Sequence, residues 1–231
     1  MDFLYEKDIT PSGISVETIS GGEDKSPKVW KLFAMQIFSE ADGDYRELEH
    51  YPSGAPALYG VPMRVSLSHT SHCMVVATLP KTPDVDLGGF SLRTAMGIDL
   101  EKADRRQVLK VKEKFLMPEE ISMLPAFGEV DDVSAEVIER YILAWTCKEA
   151  LYKAALGELP DWKGDYRITT LPAVARDLRD ATPEKYGKAE ILLRSEAQEK
   201  VEMLLSSWRF EGHIVTLAFS SKIARFPVGA Q

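Results

Sequence analysis

Residues 134–156 contain neither proline nor glycine, and the run stops at Gly157. Opened by Ser134 as an N-cap and closed by a glycine that tolerates the left-handed C-terminal conformation, it predicts one long helix. What flanks the helix decides the fold class. Residues 63–67, 73–79 and 94–101 read as strands before it, and residues 166–170, 188–194, 202–210 and 214–220 read as strands after it. Residues 105–116 carry good helix formers, and Pro118-Glu119-Glu120 places proline and acids in a first helical turn, where both are favoured. Strands on both sides of a helical centre make an α+β chain. Residues 31–39 have the length and apolar content of a buried strand. Pro11, Gly13, Gly21 and Gly22 punctuate the start, so strands there should be short. Residues 51–62 hold three prolines and two glycines and should be mostly irregular, and residues 80–89 should form a loop. Gly212 predicts the turn of a closing hairpin.

The chain has 231 residues, 45% of them hydrophobic and 28% charged, enough for one large domain or two small ones with a real core. Its net charge of −8 weighs against a general affinity for nucleic acid or anionic membranes. Cys73 and Cys147 are too few for a disulfide framework and should be free, buried thiols. The start has an acidic lead and no apolar run, and no stretch is long enough to span a bilayer. A cytoplasmic monomer is expected.

Three segments carry chemistry. In Gly97-Ile98-Asp99-Leu100-Glu101, the strand pleat puts Asp99 and Glu101 on one face and turns Ile98 and Leu100 to the core. Two carboxylates so close call for a cation, and oxygen ligands of this kind suit Mg²⁺. Alone, the pair equally describes a solvated strand end. In Trp145-Thr146-Cys147-Lys148-Glu149-Ala150-Leu151-Tyr152-Lys153, residues 145, 149 and 153 share one helix face, offering an aromatic wall, a third carboxylate and an ammonium group. Alone, Glu149 and Lys153 equally make a surface pair. Ser68-His69-Thr70, read as part of a polar turn, puts a phosphate donor or proton acceptor between two strands, and nearby His72 is read as structural.

S-H-T, then G-I-D-L-E, then W-T-C-K-E-A-L-Y-K about forty-five residues further on, resembles the 4′-phosphopantetheinyl transferase superfamily, long-chain surfactin-synthetase-activator type. The resemblance implies transfer of the phosphopantetheine arm of coenzyme A to a serine of an apo acyl or peptidyl carrier protein. It further implies a pseudo-dimer of two similar α+β halves, residues 1–95 and 96–231, with the active site in the cleft between them. By the same resemblance, Asp99, Glu101 and Glu149 hold Mg²⁺, with Glu120 (or Glu119) a further acid near the metal. Glu149, Lys153 and His69 are the catalytic residues, with Lys153 acting on the leaving phosphate. Ser68, His69 and Lys153 contact coenzyme A.

The chain departs from the family at two places. The turn that usually holds a basic residue reads Gly54-Ala55-Pro56, and residues 1–40 hold only Lys7, Lys25, Lys28 and Lys31 as bases. Arg64 is the substitute candidate for gripping coenzyme A. An alternative to the enzyme is an impaired homologue that binds carrier protein or coenzyme A. A phosphoanhydride hydrolase is disfavoured, because no G-x-x-x-x-G-K loop is present. Finally, Lys102, Arg105, Arg106, Lys110, Lys112 and Lys114 form a local basic run that suits the acidic helix of a carrier protein, or simply a solvated helix face.

Overall fold

The computed structural model describes residues 3–10, 13–21, 48–50, 54–58, 63–80, 90–157, 159–193 and 199–227. Strands β1 (Phe3–Ile9), β2 (Ser15–Gly21), β5 (Met63–His69) and β6 (Cys73–Pro80) form an antiparallel sheet in the order β1-β2-β6-β5. A second sheet comprises β8 (Met96–Lys102), β9 (Tyr166–Thr170), β11 (Gly187–Leu192), β12 (Lys200–Phe210) and β13 (His213–Phe219), in the order β8-β13-β12-β11-β9. Short β10 (Val174–Ala175) joins it in parallel with β12. Two ribbons pair β3 (Leu48–His50) with β4 (Pro56–Leu58), and β7 (Phe90–Arg93) with β14 (Ala224–Pro227). Between β8 and β9 come α1 (Gln107–Phe115), α2 (Pro118–Ile121) and α3 (Ala135–Ala154). The class is α+β.

The period-two pleat sorts the core into layers. Ile98, Leu100, Trp208, Phe210, Val215 and Leu217 of the second sheet pack against Val16, Cys73, Val75 and Ala77 of the first. The other face of the second sheet presents Met203, Leu205, Ile214 and Ala218 to α3. The far face of the first sheet, with Ile19, Val65, Met74 and Val76, closes on Leu48 and Leu58 of the small ribbon. Helix, sheet, sheet and ribbon therefore stack in that order, and the edge strands β5 and β8 lie against each other.

Local chemistry explains the main boundaries. Ser134 Oγ accepts from the Val137 N–H at 3.4 Å, and α3 ends where Leu156 (φ 57°) and Gly157 (φ 69°) turn left-handed. The β12–β13 turn has Glu211 at φ 45° and Gly212 at φ 72°, the pair of positive values that a two-residue hairpin needs. Three expectations change. Strands β1 and β2 run seven residues each, because the turn signals serve a hairpin in which Thr10 N–H donates to Ile14 O and Gly13 N–H to Thr10 O. Strand β5 continues through Ser68 and His69, because His69 stays paired with Met74, so the turn is confined to residues 70–72. Within residues 51–62, Pro56–Leu58 is a strand. The strand expected at residues 31–39 lies outside the described residues, as does the loop expected at 80–89 except for Pro80, which ends β6. Both cysteines are free and buried. Among the described residues no helix is long and apolar enough to cross a membrane.

Candidate active site

Gly97, Asp99 and Glu101 share the face of β8 that meets α3, and Gly97 sets how close the helix comes. A Cβ there would sit 2.1 Å from Ala150 O and 2.4 Å from Ala154 N, so backbone meets backbone and only glycine fits. That approach brings the 145–149–153 face of α3 down onto the two acids.

Asp99 is buried, and its Oδ1 accepts two hydrogen bonds, from Lys153 Nζ at 2.7 Å and from Ser68 Oγ at 2.8 Å. Its Oδ2 is buried with no hydrogen-bond partner. A buried carboxylate oxygen left unspent is costly, and in a native fold it asks for an explanation. Glu101 receives both oxygens' bonds from Arg105 Nη1, at 2.9 and 3.0 Å. Burial first, and then the charge of Asp99, push its carboxyl above the usual range, against the pull of Arg105. Glu149 is pushed up to about 7, chiefly by burial, then by Asp99, with Lys153 opposing and Glu101 adding to the rise. Asp99, Glu101 and Glu149 therefore share one electrostatic neighbourhood that is short of positive charge. Among the described residues, no three metal-ligating side chains stand close enough together to hold an ion as they are, and Lys153 Nζ takes the place beside Asp99. Trp145 walls the site, edge-on to Phe115 and to Trp162 with ring centroids 4.9 Å apart in each case.

The first sheet reaches this site through β5. Arg64, Ser66 and Ser68 lie on one pleat face, opposite the face of Val65 and Leu67. Ser66 Oγ accepts the Ile98 N–H at 3.0 Å, and Ser68 donates to Asp99 as above. Two hydroxyls of one edge strand thus satisfy the neighbouring edge. Ser66 went unrecognised in the sequence, although the alternation Ser66-Leu67-Ser68 was its signal. Also missed was His213, buried at the start of β13: its Nδ1 donates to Glu211 O at 2.7 Å, leaving Nε2 to accept from Thr70 Oγ1 at 3.1 Å. This bond ties the end of β5 to the second sheet.

Some predicted residues stand apart. His69 is exposed, and the pleat turns it to the opposite side from Ser68, so the structure does not bring it to the carboxylates. Arg64 is half-buried near the start of β5, on the Ser68 face but about 13 Å further along the strand. Glu120 needs a correction as a candidate metal ligand. It is buried, its Oε2 accepts the Met117 N–H at 2.7 Å, and its Oε1 accepts the Ile168 N–H and the Lys148 ammonium, each at 2.7 Å. Both oxygens are engaged inside the fold, and the Lys148 ammonium already stands as the counter-ion of this carboxylate. Glu119 is exposed on the same short helix, and half-buried His72 sits in the β5–β6 turn. Of the basic run, Arg105 is held by Glu101, Arg106 donates to Val130 O and Asp131 O, and Lys112 lies 4.1 Å from the Phe127 ring centroid. Lys102, Lys110 and Lys114 are exposed.

A model of the 4′-phosphopantetheinyl transferase superfamily matches residues 95–218, more than half of the chain. The matched span contains β8, α3 and the second sheet but for Phe219, the last residue of β13. A comparison with curated proteins finds no match.

Proposed function

The chain belongs to the 4′-phosphopantetheinyl transferase superfamily, and from that premise we propose that it moves the 4′-phosphopantetheine group of coenzyme A onto a serine of an apo acyl or peptidyl carrier protein, as a Mg²⁺-dependent enzyme of the surfactin-synthetase-activator type. One observation carries the reading. The two motifs that bear the resemblance meet across β8 and α3, where Asp99 keeps a buried, unpartnered oxygen and its charge, together with burial, raises the carboxyls of Glu101 and Glu149.

The donor set suits a hard divalent cation: all three side chains are carboxylates, and the orphaned Oδ2 has the free lone pairs that a ligand needs. Asp99, Glu101 and Glu149 would hold Mg²⁺, which when bound offsets the negative charge of the coenzyme A pyrophosphate. The remaining chemistry falls to side chains. The carrier serine oxygen forms a bond to the phosphorus that bears pantetheine, and the pyrophosphate P–O bond breaks. Glu149, on the α3 face that meets Asp99, accepts the serine proton. Lys153, with its side chain one-quarter exposed beside Asp99, neutralises or protonates the leaving phosphate. Ser68 holds Asp99 in place, while exposed His69 and half-buried Arg64 would contact the phosphates of a cofactor lying between halves 1–95 and 96–231. Lys110 and Lys114, rather than the internally engaged Arg105 and Arg106, suit the acidic helix of the carrier.

The test is a mass measurement. Apo carrier protein incubated with this chain, coenzyme A and Mg²⁺ should gain about 340 Da, the phosphopantetheine arm. An unchanged carrier mass across acyl and peptidyl carriers rejects the transferase and leaves a binding module.

A further inference from the structure

Lys148 is the neighbour of Glu149 on α3, and it is completely buried. Its three ammonium protons meet three acceptors: Glu120 Oε1 at 2.7 Å, Lys163 O at 3.1 Å and Tyr166 O. Glu120 is equally committed, to the backbone N–H groups of Met117 and Ile168. One ion pair therefore joins the mouth of α2, the turn before β9, β9 itself and the middle of α3.

Stability alone does not account for such a pair. Taking two charges out of water costs as much as their attraction returns, and apolar replacements of similar volume are often neutral or better. What the pair adds is direction. Helix α3 is otherwise held by apolar groups such as Ile138, Ile142, Leu143 and Leu151, whose attraction does not depend on angle, and by bonds from its other faces, Thr146 Oγ1 to Thr216 Oγ1 at 2.7 Å and Glu139 to Arg209. Apolar packing of this kind keeps a helix in place while leaving its rotation only loosely set. Gly97 fixes the distance of α3 from β8. A rotation of ~15° would carry side-chain ends at the helix periphery by about 1.5 Å. Errors near 1 Å at a reacting centre cost about a hundredfold in rate.

Resting on the transferase reading above, we propose that the Glu120–Lys148 pair is a rotational pin for α3: Lys148 and Glu120 are positioning residues that hold Glu149 and Lys153 in register with Asp99. Neither touches the reacting atoms. The pin is built from backbone carbonyls of β9 and its approach turn, so it references the catalytic face of the helix to the far side of the same sheet.

Three variants test this: Lys148→Met, Glu120→Gln, and the double variant that removes both charges. Each single change strands a buried charge and should lower Tm, and the double variant should be more stable than either single. The pin predicts that kcat does not follow Tm. At a temperature where all variants are folded, the double variant should stay at least about tenfold down in kcat, with KM for coenzyme A within about threefold of wild type. Two readouts do not depend on turnover. Calorimetric Mg²⁺ affinity should fall several-fold, and the near-ultraviolet circular dichroism of the Trp145–Trp162 edge contact should change, because Trp145 turns with the helix. Recovery of kcat in step with Tm, or an unaltered Trp signal with unaltered Mg²⁺ binding, overturns the proposal. A wild-type chain that modifies no carrier rejects the transferase instead, and the Trp signal then still decides whether the pair sets the rotation of α3.

Discussion

Helix α3 carries two carboxylate–lysine pairs with the same 2.7 Å separation, Asp99–Lys153 on its front and Glu120–Lys148 on its back. Five residues separate the lysines, which places them about 140° apart around the helix. The back pair is saturated: every ammonium proton and both carboxylate oxygens have partners, and neither side chain meets solvent. The front pair is not. One oxygen of Asp99 is unspent, Lys153 is partly exposed, and two more acids crowd the same space. Distance therefore fails to separate a structural ion pair from a reactive one. What separates them is residual capacity, the lone pairs and charge that the fold leaves unbalanced in a low-dielectric site.

The sharpest way to break this contrast is Asp99→Ala. If the front carboxylate is the reactive one, transfer should fall by about a thousandfold, the range seen when a key charge-stabilising group is lost. The fold should survive, because the substitution also relieves Glu101 and Glu149 of a like charge. Normal turnover by Asp99→Ala, read by carrier mass, would remove the distinction altogether. Next in size is Gly97→Ala. Its Cβ cannot coexist with Ala150 O at 2.1 Å, so α3 must lift from β8 at a cost of about 3 kcal/mol. Denaturant unfolding should show that loss, and transfer should drop as Lys153 leaves Asp99. Wild-type stability in Gly97→Ala would mean that the close approach is not what seats the front pair.

How much of this was legible beforehand follows the same division. The front pair lay open in the sequence because a strand pleat and a helix repeat each fix a face: residues 99 and 101 at period two, residues 145, 149 and 153 at a spacing of four. The long helix was readable from Ser134 and Gly157, which fix its ends chemically. The back pair does not show in the sequence. Glu120 was assigned to the metal, since a sequence shows that an acid exists but not that Met117, Ile168 and Lys148 have already claimed its oxygens. The side to which His69 points is hidden for a related reason: the pairing of His69 with Met74 extends β5 and turns the imidazole to the opposite face from Ser68. The Thr70–His213 bond joins residues 143 apart in the chain, beyond the reach of any local pattern.

The smallest expected effect is one of pH, and it distinguishes the two ways in which the front site is held. Glu149 has its carboxyl raised from 4.5 to about 7, so the folded, metal-free chain binds more protons than the unfolded one between those values. Its contribution to stability therefore declines as pH rises through that window. His213 acts in the opposite sense. Burial lowers its pKa below 6.5, with the charge of Lys102 and the nearby His72 also disfavouring the imidazolium and backbone hydrogen bonds opposing them. The neutral ring is the form that accepts from Thr70, so this contribution is present above pH 6.5 and is lost as pH falls toward the lowered value. Mg²⁺ separates the two, because a cation displaces the proton from Glu149 and leaves His213 untouched. Thermal melts at pH 5 and 7.5 should show a larger Mg²⁺-induced rise in Tm at 7.5. With Mg²⁺ present, His213→Gln, which can still donate to Glu211 O and accept from Thr70 without titrating, should flatten part of the acid-side decline. An acid-side slope identical in His213→Gln and wild type would remove His213 from the account, and the tether between β5 and β13 would then owe nothing to its protonation state.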